Sequence, residues 1–186
     1  MDKTRIIEMI RKNKPAIQPL PEIFQARAGK ADLAAQFGEI LRLVGAEIYY
    51  IESESLVPEF MSSHFRDASD FSDPGTWKNT MDGISNVEAL DTIILKAQFG
   101  IAENGAVWMD ESNFPERIIP FIGKHLVVKL YRNDLIGNVI EAYEKYDLAK
   151  TGFGVFISGP SKTADIEQVL VFGAHGPLKH TVLLIN

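Results

Sequence analysis

The sequence GVFISGPSKTADIE, residues Gly154–Glu167, joins an apolar run to a Gly-Pro pair, hydroxyl side chains and two acids. The apolar run predicts a buried strand over Phe153–Ser158, because it is short and is bounded by glycine and proline. Open α/β sheets bind their ligands beyond the carboxyl ends of strands. The polar residues after Ser158 are therefore predicted to form a site and not merely a turn.

A second segment, Gly173–Pro177, reads GAHGP and precedes the apolar ending Thr181–Ile185. Together, SGPSKTADIE and GAHGP resemble the LUD family, in its lactate-utilisation protein C (LutC/YkgG) branch. The resemblance implies a three-layer Rossmann-like α/β sandwich with a mixed sheet, the type shared by ribose-5-phosphate isomerase and coenzyme A transferases. It also implies an accessory role in L-lactate oxidation to pyruvate, alongside iron–sulfur partner proteins.

Two shorter patterns extend this resemblance into the middle of the chain. Ala102–Gly105 reads AENG where the family has AETG, with asparagine in place of the threonine. Arg117, Pro120 and His125 match a further spacing of the family. Residues 53–80 fit no family pattern.

Length and composition predict one globular domain. A chain of 186 residues with 46% apolar content can bury one core and is short for two. We therefore expect residues 1–186 to form a single LUD-like domain. Within it, residues 1–29 are predicted to supply a short helix and a proline-rich connector.

Charge and cysteine content limit the partners. Asp and Glu outnumber Lys and Arg by 25 to 19, and a negative surface repels phosphate backbones, so nucleic acid is not expected as a partner. Because the sequence has no cysteine, it supplies no thiolate to an iron–sulfur cluster. Any such centre must belong to a partner protein, and we expect this chain to bind no cofactor itself.

The sequence also bears on cellular location. Charged residues interrupt the apolar residues of Met1–Ile10, unlike the core of a secretory signal. No later stretch approaches the ~18 apolar residues that cross a bilayer. We expect a cytoplasmic protein without a membrane span.

Hydrophobic periodicity predicts alternating helices and strands, and hence an α/β sandwich with a mixed sheet. A helix over residues 33–44 ends at Gly45 and leads into a strand over Ala46–Ile51. Further strands are expected at Thr92–Leu95, Ala106–Met109 and Leu126–Tyr131, a tight turn at Glu103–Gly105, a helix at Leu135–Tyr146, and short helices and loops between Glu52 and Gly83.

The Gly-Pro pair opens the candidate site. Gly159 and Pro160 bend the chain, so that the backbone N–H groups of Ser161, Lys162 and Thr163 can converge on an anion. The ammonium group of Lys162 would add a charge. A hydroxyl that caps a following helical turn explains the same residues, and the family resemblance favours the site.

Two acids and a histidine supply candidate acid–base groups. Asp165 and Glu167 face the same side of a strand but diverge on a helix, and periodicity leaves both open. His175 has room beside it for a ligand because of neighbours such as Gly176, and its pKa range suits proton transfer. A loop histidine bonded to a carbonyl group is the alternative. No spacing among these residues matches a metal motif, so no metal site is expected.

Glu103 and Arg117 complete the candidates. Glu103 precedes an Asn-Gly pair, which a type I′ hairpin turn fully explains. Arg117 can hold a carboxylate in a bidentate fork. An exposed arginine paired with Glu116 or Glu111 is the alternative.

The residues together suggest one pocket for a small carboxylate or phosphate ligand. A stand-alone enzyme of the sugar-phosphate isomerase or coenzyme A transferase kind is the alternative, and a pure interaction module is a third. The predicted catalytic residues are Glu103, Asp165, Glu167 and His175, and the predicted ligand-binding residues are Arg117, Gly159, Ser161, Lys162, Thr163 and Gly176.

Overall fold

The computed structural model describes residues 2–16, 18, 32–82, 90–147, 151–163 and 171–186. Most of the predicted proline-rich connector, and the predicted catalytic residues Asp165 and Glu167, lie outside these ranges. The helices among the described residues are α1 Lys3–Lys12, α2 Leu33–Leu43, α3 Val57–His64, α4 Trp77–Asp82, α5 Ile119–Ile122 and α6 Val139–Lys145. The strands are β1 Glu47–Ile51, β2 Ser69–Asp70, β3 Thr92–Lys96, β4 Phe99–Ile101, β5 Ala106–Asp110, β6 His125–Tyr131, β7 Leu135–Ile136, β8 Gly154–Ile157, β9 Lys162–Thr163, β10 Val171–Phe172 and β11 Lys179–Ile185.

The central sheet has five strands in the order β1-β11-β6-β3-β2. Neighbouring strands in this sheet are all parallel. The last strand in the chain, β11, lies inside the sheet between β1 and β6, and its residues Val182–Ile185 are buried. Burial of successive residues requires cover on both faces, as parallel sheets generally have.

Helices cover the two faces of the central sheet. On one face, Val57 of α3 belongs to the same buried cluster as Val127 and Leu183 of the sheet. On the other face, Phe37 and Leu41 of α2 lie in a larger cluster that includes Leu130 and Leu184. This arrangement confirms the three-layer Rossmann-like α/β sandwich predicted from the sequence.

A second, four-stranded sheet in the order β7-β4-β5-β8 contains the mixed pairing. β4 is antiparallel to β5 and parallel to β7, and β5 is antiparallel to β8. One face joins the main cluster through Val107 and Met109. The other packs on Ala142 of α6 and on Tyr146, which follows this helix, and the ring of Phe99 stacks on that of Tyr146 with centroids 4.2 Å apart.

Most predicted elements match the structure closely, but the predicted helix over Leu135–Tyr146 is wrong in its first turn. Leu135 and Ile136 instead form β7, where they pair with Gly100 and Ile101 of β4. The helix begins only at Val139 because the side chain of Asn138 accepts the N–H of Glu141 and caps it.

The predicted turn at Glu103–Gly105 also needs correction. It joins β5 to β4, a strand that sequence patterns did not predict, rather than to β3. Ile101 pairs with Ala106, so four residues separate the strands, and a two-residue type I′ turn is excluded.

The first helix is present where periodicity predicts it. Asp2 caps α1 by accepting the N–H of Thr4, and every residue of this helix is exposed. In the described parts of the chain, none of the helices has the length and apolarity to cross a bilayer.

Candidate functional site

The two sequence segments that carry the resemblance fold against each other. We call residues 158–163 and 171–178 the motif hairpin, since β9 pairs with β10 in antiparallel fashion. The N–H of Ser161 donates to the carbonyl of Pro177 at 2.8 Å, and the N–H of Gly173 donates to the carbonyl of Ser161 at 3.0 Å. Gly176 packs so closely that a Cβ there would lie 3.3 Å from that of Ser161. Ser161 and Gly176 are therefore neighbours.

The motif hairpin lies at the amino edge of the central sheet. It leads directly into the first residue of β11, Lys179, whose N–H donates to the carbonyl of Lys124 just before β6. The strand that precedes it, β8, is half-buried and belongs to the second sheet, antiparallel to β5. The expectation that Ser158 ends a buried strand at a ligand-binding carboxyl edge therefore does not describe this chain.

Gly159 and Lys162 hold the hairpin against the end of α2. Gly159 has a φ of +78°, and a Cβ there would approach the carbonyl oxygen of Val44 to 2.8 Å. The Nζ of Lys162 donates to the same oxygen at 2.6 Å. A cation at this position stabilises the carboxyl end of a helix, because the last carbonyl groups carry a partial negative charge. Because the N–H of Ser161 is used by Pro177, one of the three predicted anion donors is engaged within the protein. Thr163 is half-buried in β9.

His175 is exposed and lies in an open groove of about 340 Å³ beside the amino ends of β6 and β11. Of the described candidates, His175 and Gly176 line this groove. Their neighbours are mainly apolar, and Ile118 and Leu178 are each about half exposed. The other lining residues are Phe121, Ile122, Gly123, Lys124, Gly173 and Ala174.

Glu103 lies near the motif hairpin, but its carboxylate has a structural partner. Its Oε2 accepts the N–H of Val139 at 3.3 Å, at the start of α6. The adjoining residue, Asn104, accepts the hydroxyl of Ser158 on its carbonyl oxygen at 2.7 Å, which ties this turn to the hairpin. The Asn104 side chain accepts the N–H of Ala106.

Arg117 forms an exposed ion pair with Glu111, as the alternative to a carboxylate anchor predicted. Its Nη2 lies 2.9 Å from Oε2 of Glu111, and its guanidinium lies 5.5 Å from the ring centre of Phe153. The Arg117 side chain is 63% exposed. The predicted role of Arg117 as a carboxylate anchor remains a prediction.

A larger cavity of about 560 Å³ lies at the opposite, carboxyl edge of the central sheet. We call it the carboxyl-edge cavity. The last residues of β3, β6 and β11 line it, which are Lys96, Tyr131 and Ile185. This is the edge at which open α/β sheets bind ligands. The remaining lining residues are Glu54, Val57, Pro58, Ser72, Asp73, Pro74, Ser112, Asn113 and Lys129.

Lys129 forms a hydrogen-bonded group in this cavity. Its side chain is 16% exposed, and its Nζ donates to Oδ2 of Asp70 at 2.9 Å and to Oγ of Ser72 at 2.8 Å. Burial alone would raise the pKa of Asp70, but the hydrogen bonds from Lys129 and Ser72 outweigh it and hold this pKa below its usual range. The carboxylate is thus ionised at neutral pH and orients the ammonium.

Tyr131 and Lys96 form the other polar wall. The hydroxyl of Tyr131 donates to Oε1 of Glu54 at 2.5 Å, and this bond, together with burial, raises the pKa of Tyr131 to about 12. The Nζ of Lys96 lies 4.8 Å from the ring centre of Tyr131. No ion pair joins Lys96 to a carboxylate within the part of the chain that the structure describes.

Sequence reasoning missed this cavity because its residues come from β3, β6 and β11 and from the segments that follow β1, β2 and β5. One signal was available. Lys129 and Tyr131 interrupt an otherwise apolar strand at alternate positions, and a charged residue inside a buried strand is rarely there for packing alone.

Comparison with known proteins identifies related sequences. The family model for the LUD domain matches residues 84–185. Lactate utilization protein C of Shouchella clausii is 31% identical over 109 residues, which are 55% of this chain and 47% of that protein. Uncharacterized protein YkgG of Escherichia coli is 30% identical over 111 residues, 56% of this chain and 48% of that protein. The chain therefore spans about half the length of these relatives.

A solved structure has the same fold. It is a DUF162 family protein from Deinococcus radiodurans, which superposes with a TM-score of 0.61 over 85% of this chain and 99% of that one. The sequence identity is 13%, so this likeness concerns the fold alone.

Proposed function

Because this chain belongs to the LUD domain family, we propose that it acts in lactate utilisation, as an accessory protein for the oxidation of L-lactate to pyruvate. The observation that carries this proposal is the similarity to proteins named lactate utilization protein C. The region that the family model matches includes both segments of the motif hairpin.

The lack of cysteine supports an accessory role with iron–sulfur partner proteins. Oxidation of lactate releases electrons, which need an acceptor. The sequence holds no thiolate that could ligate a cluster, so in this proposal the clusters belong to the partners.

The motif hairpin is the proposed functional surface. His175 is open to solvent, and apolar side chains lie beside it in the groove, which supports access by a ligand or a partner. His175, Asp165, Glu167 and Glu103 remain the proposed acid–base groups, and Arg117 the proposed carboxylate anchor.

Growth on lactate tests this role. A strain that lacks the chain should fail to grow on L-lactate as sole carbon source, and the wild-type chain should restore growth. We expect His175→Ala to abolish this rescue while His64→Ala, at another exposed histidine, preserves it. Both variants must accumulate as folded protein.

Two outcomes would reject the proposed role. Normal growth of the deletion strain on L-lactate would remove the link to lactate utilisation, and full rescue by His175→Ala would remove the motif hairpin from the function. Co-purification from lactate-grown cells, followed by iron analysis of the captured proteins, tests the partners separately.

The carboxyl-edge cavity favours a second candidate, a stand-alone small-molecule enzyme. Its volume lies within the range of about 300–1,000 Å³ typical of ligand sites, and it holds ionised groups with fixed partners. Turnover of an acyl-coenzyme A by the purified chain alone would favour this candidate over the accessory role.

A further inference from the structure

Two lysines stand side by side in the carboxyl-edge cavity. Lys96 of β3 and Lys129 of β6 are register partners in neighbouring parallel strands. Ile94 and Val127, two residues before them, belong to the cluster on the α3 face of the sheet. Because side chains in a strand alternate between faces with a period of two residues, both lysines project from this face, toward the cavity.

Among the residues that the structure describes, a carboxylate pairs with Lys129 but not with Lys96. Like charges opposite each other on neighbouring strands are destabilising. Lys129 has the carboxylate of Asp70 at 2.9 Å, whereas the ammonium of Lys96 lies over the ring of Tyr131. A bound anion between the two ammonium groups would relieve their repulsion.

We propose that Lys96 and Lys129 bind the carboxylate of a small hydroxycarboxylate in the carboxyl-edge cavity. An ammonium has three N–H donors, and Asp70 and Ser72 engage two of those on Lys129. The third donor of Lys129 and the ammonium of Lys96 can therefore hold the two oxygens of one carboxylate.

The other charged lining residues select a singly charged, hydroxylated ligand. Glu54 and Asp73 line the same cavity, and Asp70 pairs with Lys129, so three carboxylates accompany the two lysines. A doubly charged phosphate group would be repelled by the carboxylates. Hydroxyl groups of a ligand can instead donate to them, because a carboxylate accepts several hydrogen bonds.

The volume of the cavity favours a ligand longer than lactate. Lactate would fill a small part of about 560 Å³, whereas a sugar acid would reach from the lysines to Glu54 and Asp73. This ligand class concerns binding by the purified chain and does not depend on the proposed role in lactate utilisation.

Titration calorimetry of the purified full chain with D-gluconate, L-lactate and inorganic phosphate tests this site. We expect D-gluconate to bind, and L-lactate and phosphate to bind more weakly. Lys96→Gln should weaken D-gluconate binding at least about tenfold, because it removes a charge-assisted hydrogen bond. Lys96→Arg should preserve most of the affinity.

The matched control is Lys145→Gln, which removes an exposed lysine of α6 whose Nζ lies 5.4 Å from the ring centre of Tyr146, a contact like that of Lys96, away from the cavity. This variant should bind D-gluconate like the wild type. Lys96→Gln should remain folded, since it loses only an exposed cation–π contact, and its thermal unfolding checks this.

Three results would overturn the proposed site. They are no binding of D-gluconate, equal binding by the wild type and a folded Lys96→Gln variant, and tighter binding of phosphate than of D-gluconate. Tighter binding of L-lactate than of D-gluconate would overturn the inferred ligand length. The growth test on L-lactate is unaffected by any of these results.

Discussion

Among individual side chains, His180 shows how burial controls charge. It is 1% exposed, and neither ring nitrogen has a hydrogen-bond partner among the described residues. Burial, aided by the nearby positive potential of His125, lowers the pKa of His180 to about 4. The imidazole is therefore neutral in the folded protein at pH 7, and protonation favours the unfolded chain.

The pH dependence of stability follows from this shift. Above the ordinary pKa of 6.5, His180 is neutral in both the folded and the unfolded chain, so its titration does not lower the stability. As the pH falls from 6.5 through about 4, the unfolded chain binds the proton first, and the free energy of unfolding decreases. We expect His180→Leu to be at least as stable as the wild type at pH 7, because it removes buried unpaired polar atoms. Between pH 6.5 and 4, the free energy of unfolding of His180→Leu should fall by on the order of 3 kcal/mol less than that of the wild type.

Urea denaturation at a series of pH values measures this difference. His64→Leu, the same substitution at an exposed histidine, is measured alongside as the matched variant. Parallel profiles for His180→Leu and the wild type would contradict the role of His180.

At the scale of elements, the motif hairpin packs against the end of α2 through Gly159. We expect Gly159→Ala to lower the free energy of unfolding by about 1–3 kcal/mol, because its φ of +78° is unfavourable for alanine. The new Cβ would also lie only 2.8 Å from the carbonyl oxygen of Val44. Urea denaturation at pH 7 measures the loss.

A second glycine supplies the control for this change. The φ of Gly75 is not positive, so alanine can adopt its backbone conformation. The Cβ of Gly75→Ala would meet only the carboxylate of Asp73, at 3.3 Å. A loss for Gly159→Ala no larger than that for Gly75→Ala would show that the hairpin is not held against α2 in this way.

For the molecule as a whole, one apolar cluster joins α2, the central sheet and the second sheet. Leu184, in the interior strand β11, is 2% exposed within it. Leu184→Ala should lower the free energy of unfolding by about 2–5 kcal/mol, through lost burial and the cavity that remains. Circular dichroism and the fluorescence of Trp77 and Trp108 should report the same unfolding midpoint.

Leu43→Ala is the matched control, since this leucine on α2 is 74% exposed. It should change stability by no more than about 0.5 kcal/mol. Separate unfolding transitions by the two probes would show that the molecule does not unfold as one cooperative unit.

Local patterns were sufficient to predict much of the fold. Strands such as β1, β3, β5 and β6 were predicted within one or two residues, because burial on a pleated strand leaves a short-range apolar signature. β4 and β7 were missed, since three and two residues are too few to show a period and their pairing comes from distant parts of the chain. Ser161 and Gly176 lie next to each other in a hairpin at the amino edge, and their role in ligand binding stays a prediction.

By itself, the sequence determined the α/β class, the family and the positions of most strands, because each depends on residues close together in the chain. Only the tertiary structure decided which edge of the sheet each group occupies. Strand order and parallel register result from pairing between distant segments, such as β1 with β11. The same long-range pairing places Lys96 beside Lys129, and no local pattern encodes that neighbour.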